Sequence, residues 1–412
     1  MEQLPCQISN LKIAEYQAMA NVTQLLNLDI VSSTHLPLVQ PLYETSLFRM
    51  PDYQTAMATE HAIHPLSYYS RWGNPTVAYL ENQLSLLLNK EKTLIFPTGM
   101  AAITTTLFSL LKPHDVIAIS NALYGDTSRF FLEDLIKWGV KVKTFDSTQA
   151  DTLARLCVDH QISFVYYETL SNPDLKAVDL QNIQSICQKY GITSICDSTF
   201  TPPLMLKNNV EVADIVIMSL TKYMGGHSTV FGGSVSCNQT WFKKIWHTQS
   251  LYGAAIDPYA AWQLSQGVKT LALRLDRQAR SAGQIAYRLS RCNQITRVIY
   301  PGNEHYEYTE LTSSYLNNGG AVIAFLLNGD EAVIEQFLNA LRVVQLSVSL
   351  GGIRSCIEHA QTMSHSMLTK IDQELLCDAN LSYPDRALIR LSIGIEETSE
   401  IEQDLIRSLS MI

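Results

Sequence analysis

The chain has 412 residues, is 46% hydrophobic and 17% charged, and carries a formal net charge of −9. That length can bury a large core in two or three domains, while the acidic balance and the lack of a long lysine and arginine run exclude a nucleic-acid footprint. No uninterrupted apolar stretch reaches the roughly 18 residues that span a membrane. The N-terminus, with Glu2 and Gln3, lacks a secretory pattern. Eight scattered cysteines show neither C-x-x-C nor zinc spacing. The expectation is a cytoplasmic protein with reduced thiols and no metal.

In chain order, Ile13 to Leu28 patterns as an amphipathic helix. Ser32-Ser33-Thr34 and a segment with Pro37, Pro41 and Pro51 follow, an arm suited to lie along a surface such as that of another subunit. Tyr68 to Thr76 is a polar, aromatic turn, and Thr76 or Asn74 can cap a helix over Val77 to Leu88. Short apolar runs then alternate with helical patterns. Strands are predicted at Leu94–Phe96, Val116–Ser120, Val140–Phe145, Phe164–Tyr167, Ser194–Cys196, Ile215–Met218 and Gly233–Cys237. Helices are predicted at Ala101–Leu111, Ser128–Trp138, Ala150–Cys157 and Leu180–Tyr190. This alternation predicts an α/β fold, a mainly parallel sheet with helices on both faces. Little room for a helix separates the last two strands, so one of them should pair antiparallel. After about residue 258 come a long helix, Tyr259 to Ala286, with breaks near Gly267 and Gly283, and strands at Val298–Pro301, Ala321–Leu326 and Ala387–Ile393. With a helix at Glu331–Leu341 they form a smaller α+β unit. Residues 1–60 read as an N-terminal arm, 61–258 as a cofactor-binding large domain and 259–412 as a C-terminal small domain.

Lys222 follows the apolar run from Ile215 to Met218, which delivers it to the carboxyl edge of the sheet, where open α/β sheets keep their ligands. Ser219 and Thr221 offer hydroxyls beside it, and Gly225-Gly226 permits close backbone approach. Thr98-Gly99-Met100 joins a strand to a helix start whose free N–H groups suit an anion. Asp197 ends another strand. Each has an ordinary reading when taken singly: a solvated lysine, plain packing at a strand–helix junction, a cap. Together they supply what pyridoxal phosphate requires: an amine for a Schiff base, an anion for the pyridine nitrogen, and donors for the phosphate. Neither the Rossmann glycine fingerprint nor a Walker motif is present.

From about Val39 to its end the chain resembles the pyridoxal-phosphate enzymes of cysteine and methionine metabolism, which include cystathionine γ-synthase, cystathionine lyases, methionine γ-lyase and the homoserine-ester sulfhydrylases. The resemblance implies the type I, aspartate aminotransferase-like fold and a homo-oligomer, a tetramer built of dimers that share active sites. It implies that Tyr69 and Arg71, in Tyr69-Ser-Arg71-x-x-Asn74-Pro75-Thr76, reach a neighbouring subunit's phosphate. Thr98, Gly99 and Met100 would form the phosphate loop, Tyr124 would stack on the ring, and Asn172 would bond the ring hydroxyl. Asp197 would pair with the pyridinium, Ser219 and Thr221 would bond the phosphate, and Lys222 would form the Schiff base. Ser349 and Arg390 would hold the substrate carboxylate, Arg390 as a bidentate clamp.

These roles imply that a substrate amine displaces Lys222, and that the freed lysine takes the α-proton while Asp197 keeps the ring an electron sink. Relay of a second proton from the β carbon then releases a γ substituent, and a thiol adds or a keto acid and ammonia result. Tyr124 can share in proton transfer if Lys222 or Arg71 lowers its pKa. Several residues depart from the family pattern. Val348 stands where cystathionine-handling members carry a glutamate and looks more like methionine γ-lyase, whereas His359-Ala360 is closer to the synthase. Asp126, Thr229 and Arg354 replace a small residue or cysteine, an aspartate and a glutamate respectively. The expected activity is γ-elimination or γ-replacement on a homocysteine- or homoserine-type amino acid. Alternatives are a cystathionine or cysteine β-lyase, an O-acetylhomoserine sulfhydrylase, and a pyridoxal-phosphate-binding protein without turnover. Release of 2-oxobutanoate, of pyruvate, or of no keto acid separates the γ, β and non-catalytic readings.

Overall fold

Seven strands, each about five residues long and mostly buried, assemble side by side in the computed structural model. The structure describes residues 21–31, 35, 37–208, 210–366, 381 and 384–412. The strands are β1 (Lys92–Phe96), β2 (Val116–Ser120), β3 (Lys141–Phe145), β4 (Ile162–Glu168), β5 (Thr193–Asp197), β6 (Ile215–Ser219) and β7 (Gly233–Cys237). Their order is β1-β7-β6-β5-β4-β2-β3. The β3-β2-β4-β5-β6 portion is parallel. The short connection from β6 to β7 leaves no length for a crossover helix, and β7 pairs antiparallel with both β6 and β1, as that spacing predicts.

Both faces of the sheet are apolar, because helices cover each. Ile117, Ile119, Phe164, Tyr166, Ile215 and Ile217 point to one core, and Ala118, Val165, Tyr167, Val216 and Met218 to the other. A second sheet, β8 (Ile295–Ile299), β9 (Val322–Leu327), β10 (Gln345–Leu346), β11 (Cys356–His359) and β12 (Leu388–Ser392), runs in the order β10-β11-β12-β9-β8 over a core containing Phe325, Phe337 and Leu405. None of the described helices is long and apolar enough to cross a membrane.

Three departures from the predicted elements have physical causes. The helix expected over Ser128–Trp138 is an α-helix at Gly125–Arg129, a π-helical turn at Phe130–Leu135 and a 3₁₀ turn at Ile136–Trp138. Phe130, Phe131, Leu132 and Leu135 are all buried there, more apolar side chains than one α-helical stripe accommodates. The long helix is divided at Thr270 into Pro258–Lys269 and Leu271–Leu289, while Gly283 stays inside the second piece. At the break, Arg274 reaches back to the Gly267 carbonyl at 2.7 Å, replacing the interrupted ladder. The helices Tyr53–Glu60, Gln239–Tyr252 and Thr398–Leu409 and the strand β11 were not predicted. Of the N-terminal amphipathic pattern, Asn21–Leu26 is helical; Ile13 to Ala20, Ser32 to Thr34, Cys6 and Cys377 lie outside the described residues.

Candidate active site

The carboxyl edge of the large sheet gathers the predicted cofactor residues. Thr98 caps the helix Gly99–Leu110 by accepting the Ala101 N–H at 3.0 Å, leaving the Gly99 and Met100 N–H groups among the unpaired first-turn donors. This turn is pressed against the ends of β6 and β7. A Cβ at Gly233 would lie 2.1 Å from the Thr98 carbonyl oxygen, and one at Gly99 would lie 2.9 Å from Ser219 Cβ. Glycine at both places brings the helix start beside the Ser219 hydroxyl, a small cradle of N–H and O–H donors suited to a phosphate. Thr221 is less free: its Oγ1 accepts the Gly232 N–H at 3.1 Å and lies 3.3 Å from the Gly232 carbonyl.

Asp197 closes β5, in register with Ile217, two residues before Ser219. Burial pushes its carboxyl pKa up, opposed by hydrogen bonds from Thr199 and by the Lys222 charge. One bond is the Thr199 N–H to Oδ1 at 2.8 Å; Thr199 Oγ1 in turn accepts the Ser219 N–H at 2.8 Å. A buried carboxylate with raised pKa is under-compensated, and a cationic ring N–H is the kind of partner that would bring it back down. Lys222 is largely buried and its pKa falls to about 8, first through burial and then through the Arg390 charge, with Glu358 and Asp197 opposing. Its Nζ donates to Ser349 Oγ at 3.0 Å. Behind it, Arg274 donates to the carbonyls of Tyr223 at 2.8 Å and Gly267 at 2.7 Å, fixing the backbone that follows the lysine. The residues present therefore fit pyridoxal phosphate: amine, acid and anion cradle meet on one edge.

The second sheet brings up the other half. Ser349 has φ of 90°, outside the range a serine adopts freely, and its carbonyl accepts from Arg390 Nη2 at 3.0 Å. Arg390 Nη1 donates to Asn172 Oδ1 at 2.6 Å, and Nη2 lies 2.9 Å from Glu358 Oε1. Arg390 Nε has no hydrogen-bond partner although buried. An orphaned guanidinium donor in a buried place marks where an acceptor from a ligand would bind. With Asn172 Oδ1 occupied by Arg390, its Nδ2 is the end left to face a ligand.

Tyr124 differs from the expectation in its electrostatics. Its hydroxyl donates to Asp126 Oδ2 at 2.9 Å. Burial and that carboxylate raise its pKa well above the ordinary tyrosine value, outweighing Arg390, so the phenol stays protonated. Tyr69 and Arg71 are placed away from this cluster: the guanidinium lies 5.0 Å from the Tyr69 ring centroid and Nη1 donates to the Ser250 carbonyl. Neither has a contact with Lys222 or Asp197 among the described residues. Sequence reasoning missed Thr199, Arg274, Glu358, Ser364 and His365, and gave Glu168 no role of its own. Glu168 stands beside Asp197 in the β4–β5 register, its Oε1 accepts the Tyr124 N–H at 2.7 Å, and burial next to Asp197 drives its pKa far up. The only sequence sign was at Glu168 and Glu358, carboxylates within strands; Arg274 lies in a helix and Thr199, Ser364 and His365 in loops, where nothing local marks them.

Comparison with known proteins agrees with this chemistry. The family model described as Cys/Met metabolism PLP-dependent enzyme matches residues 23–410. An L-methionine gamma-lyase of Pseudomonas putida is 32% identical over 377 residues, 90% of this chain and 92% of that one. A cystathionine beta-lyase of Lactococcus lactis subsp. cremoris is 33% identical over 368 residues, 89% and 94% of the two chains. Among solved structures, cystathionine gamma synthase from Xanthomonas oryzae pv. oryzae superposes with a TM-score of 0.86 at 29% identity, covering 95% of this chain and 98% of that one.

Proposed function

The chain belongs to the Cys/Met metabolism PLP-dependent enzyme family, and from that premise we propose that it eliminates or replaces a γ substituent on a homocysteine- or homoserine-type amino acid. When bound, pyridoxal phosphate supplies a carbonyl for an amine and a ring that accepts the electron pair left by a departing proton. Thr98, Gly99, Met100 and Ser219 hold the phosphate, Asp197 the ring nitrogen and Asn172 the ring hydroxyl. Lys222 is the amine that anchors the cofactor and moves protons.

One observation carries the reading: an amine with a pKa near 8 lies 3.0 Å from Ser349 Oγ, and the Ser349 carbonyl sits on Arg390. A proton-moving group beside a carboxylate clamp can serve the α carbon and then the β carbon of one bound amino acid. Tyr124, buried and with its hydroxyl held by Asp126, does not have the lowered pKa that a share in proton transfer requires, which leaves that work to Lys222. Val348, apolar and half exposed before Ser349, offers no anion to a distal ammonium. That favours a methionine-type side chain, in line with the similarity to methionine γ-lyase. A second reading, β-elimination from cystathionine or cysteine, draws support from Asp126, whose carboxylate on the Tyr124 hydroxyl could receive an ammonium, and from the cystathionine beta-lyase relative.

Two further elements belong to the same proposal. The unit 61–258 carries the cofactor and 259–412 the carboxylate clamp, behind an arm at 1–60. The protein works in the cytoplasm as a tetramer built of dimers, with Tyr69 and Arg71 supplied to a neighbour's phosphate; exposed Leu38, Leu47, Tyr53 and Met57 support an intersubunit role for the arm. The test is an assay of the cofactor-loaded protein with methionine, cystathionine, O-acetylhomoserine and O-succinylhomoserine. Release of 2-oxobutanoate and ammonia is expected. Pyruvate in its place would establish β chemistry, and absence of any keto acid or thioether product would end the enzymatic reading proposed.

A further inference from the structure

Asn172 follows β4 of the large sheet, yet both of its oxygens are held by side chains of the second sheet. Its Oδ1 accepts from Arg390 Nη1 at 2.6 Å, and its backbone carbonyl lies 2.9 Å from His365 Nε2. Arg390 comes from β12, and His365 from the turns that follow β11. An amide held at Oδ1 alone still pivots about that contact, and a second contact on the same residue's carbonyl removes the freedom. With both oxygens held, the second sheet sets the direction of Nδ2, the end turned to a ligand.

His365 is built to hold that carbonyl. It is 1% exposed. Its backbone N–H donates to the Ala360 carbonyl at 3.0 Å, its Nδ1 lies 2.9 Å from Ser364 Oγ, and its ring stands edge-on to Tyr124 with centroids 6.5 Å apart. Burial first and then the Arg390 charge bring the imidazole pKa down to about 4, with the bond to Asn172 and the charges of Asp174 and Asp126 opposing. The ring is therefore neutral at neutral pH and carries one hydrogen. A carbonyl only accepts, so that hydrogen is on Nε2. The proton movements assigned to Lys222 make no use of this imidazole.

We propose that His365 is a positioning residue for the cofactor ring: its Nε2 hydrogen pins the Asn172 carbonyl and so aims the Asn172 amide at the ring hydroxyl. Arg390 has to serve both Asn172 and an incoming substrate carboxylate. His365 serves Asn172 alone, so the amide stays aimed while the guanidinium adjusts. The edge contact with Tyr124 is a separate packing role that acts on any bound ring alike. The inference rests on the reading of Asn172 as the partner of the ring hydroxyl.

The test is equilibrium dialysis of the cofactor-free protein with pyridoxal phosphate and with 3-deoxypyridoxal phosphate, which lacks only the ring hydroxyl. H365L removes the donor, and H365Q puts an N–H back within reach of the carbonyl. The preference for pyridoxal phosphate over the deoxy analogue should fall about tenfold in H365L, the scale of one misaimed hydrogen bond, and return in H365Q. Lost packing on Tyr124 alone would weaken both ligands equally; a preference unchanged in H365L overturns the proposal, and so does a preference lost as fully in H365Q. N172A should lose the preference by itself, and N172A/H365L should lose no more. If N172A keeps it, Asn172 is not the partner of the hydroxyl, and that reading falls together with the role of His365. Nitrogen NMR of histidine-labelled wild type decides the matter should H365L not fold. The signal missing from H365Q should be that of an Nε2–H imidazole that stays neutral down to about pH 5. An Nδ1–H imidazole, or one that gains a proton at about pH 6.5, would show that the carbonyl is not held and would end the proposal.

Discussion

The two halves of the site are built from different materials. Toward the cofactor, the large sheet offers backbone: the N–H groups of Gly99 and Met100, and two glycines that let a helix start touch β6 and β7. Toward the substrate, the second sheet offers buried charge: Arg390, Glu358 and a histidine behind them. Backbone donors need no countercharge and cannot titrate, so the phosphate cradle of the first half is set by chain path, beside the buried Asp197 and Lys222. Buried ions need partners, so the second half stays adjustable.

That contrast ranks the perturbations. Lys222→Ala removes the one group shared by both halves, and kcat/KM should fall by about 10⁴ in the keto-acid assay, at the upper end of what a positioned acid–base side chain supplies. A loss under tenfold would mean another residue moves the protons. Arg390→Lys keeps a positive charge but loses the planar fork and the Nε donor. An expected loss in kcat/KM of about 10²–10³ corresponds to roughly 3–4 kcal/mol, with the visible absorbance of bound cofactor retained. If the cofactor is lost as well, the two halves are not separable as described.

The sign of the Lys222 shift gives a third measurement. Its folded pKa is about 8 against an ordinary 10.5, so between those values the unfolded chain binds more protons than the native one. Stability of the cofactor-free protein should therefore rise as pH increases from about 8 to about 10.5 and fall back as pH drops through 8. The span is on the order of 3 kcal/mol. Lys222→Met should remove this component; the difference between the two urea-unfolding profiles isolates it from tyrosines and cysteines titrating in the same range. Parallel profiles would show that the amine is not desolvated.

The same division explains what could be read beforehand. The positions of the large-sheet strands along the chain, the antiparallel turn of β7 and the meeting of Thr98, Asp197, Ser219 and Lys222 at one edge follow from local patterns of apolar runs, strand ends and glycines beside them, whereas the order of the strands in the sheet does not. Arg390 was legible as an arginine inside an apolar strand. Its partner was not, because Glu358 and Arg390 are 32 positions apart and only the register of β11 on β12 makes them neighbours. Ser364 and His365 follow a strand that was itself not predicted. Tyr124 was placed in the site, yet its pKa rises first because the phenol is buried and then because of Asp126, and burial is not read from spacing along the chain.

The smallest expected effect tests the cofactor half most directly. At Gly233 an added methyl group would meet the Thr98 carbonyl oxygen at 2.1 Å, with backbone on both sides and no flexible side chain to swing aside. Gly233→Ala must therefore move the helix start away from β7, at a cost of about 1–3 kcal/mol. Because Gly99 and Ser219 share that contact, the movement should also widen the anion cradle and weaken phosphate binding. Equilibrium dialysis of pyridoxal phosphate should show a loss of about tenfold, larger than the loss for pyridoxal, which lacks the phosphate. Equal losses for both would mean that the helix start does not hold the phosphate, and the cofactor half would then depend on side chains as much as the substrate half does.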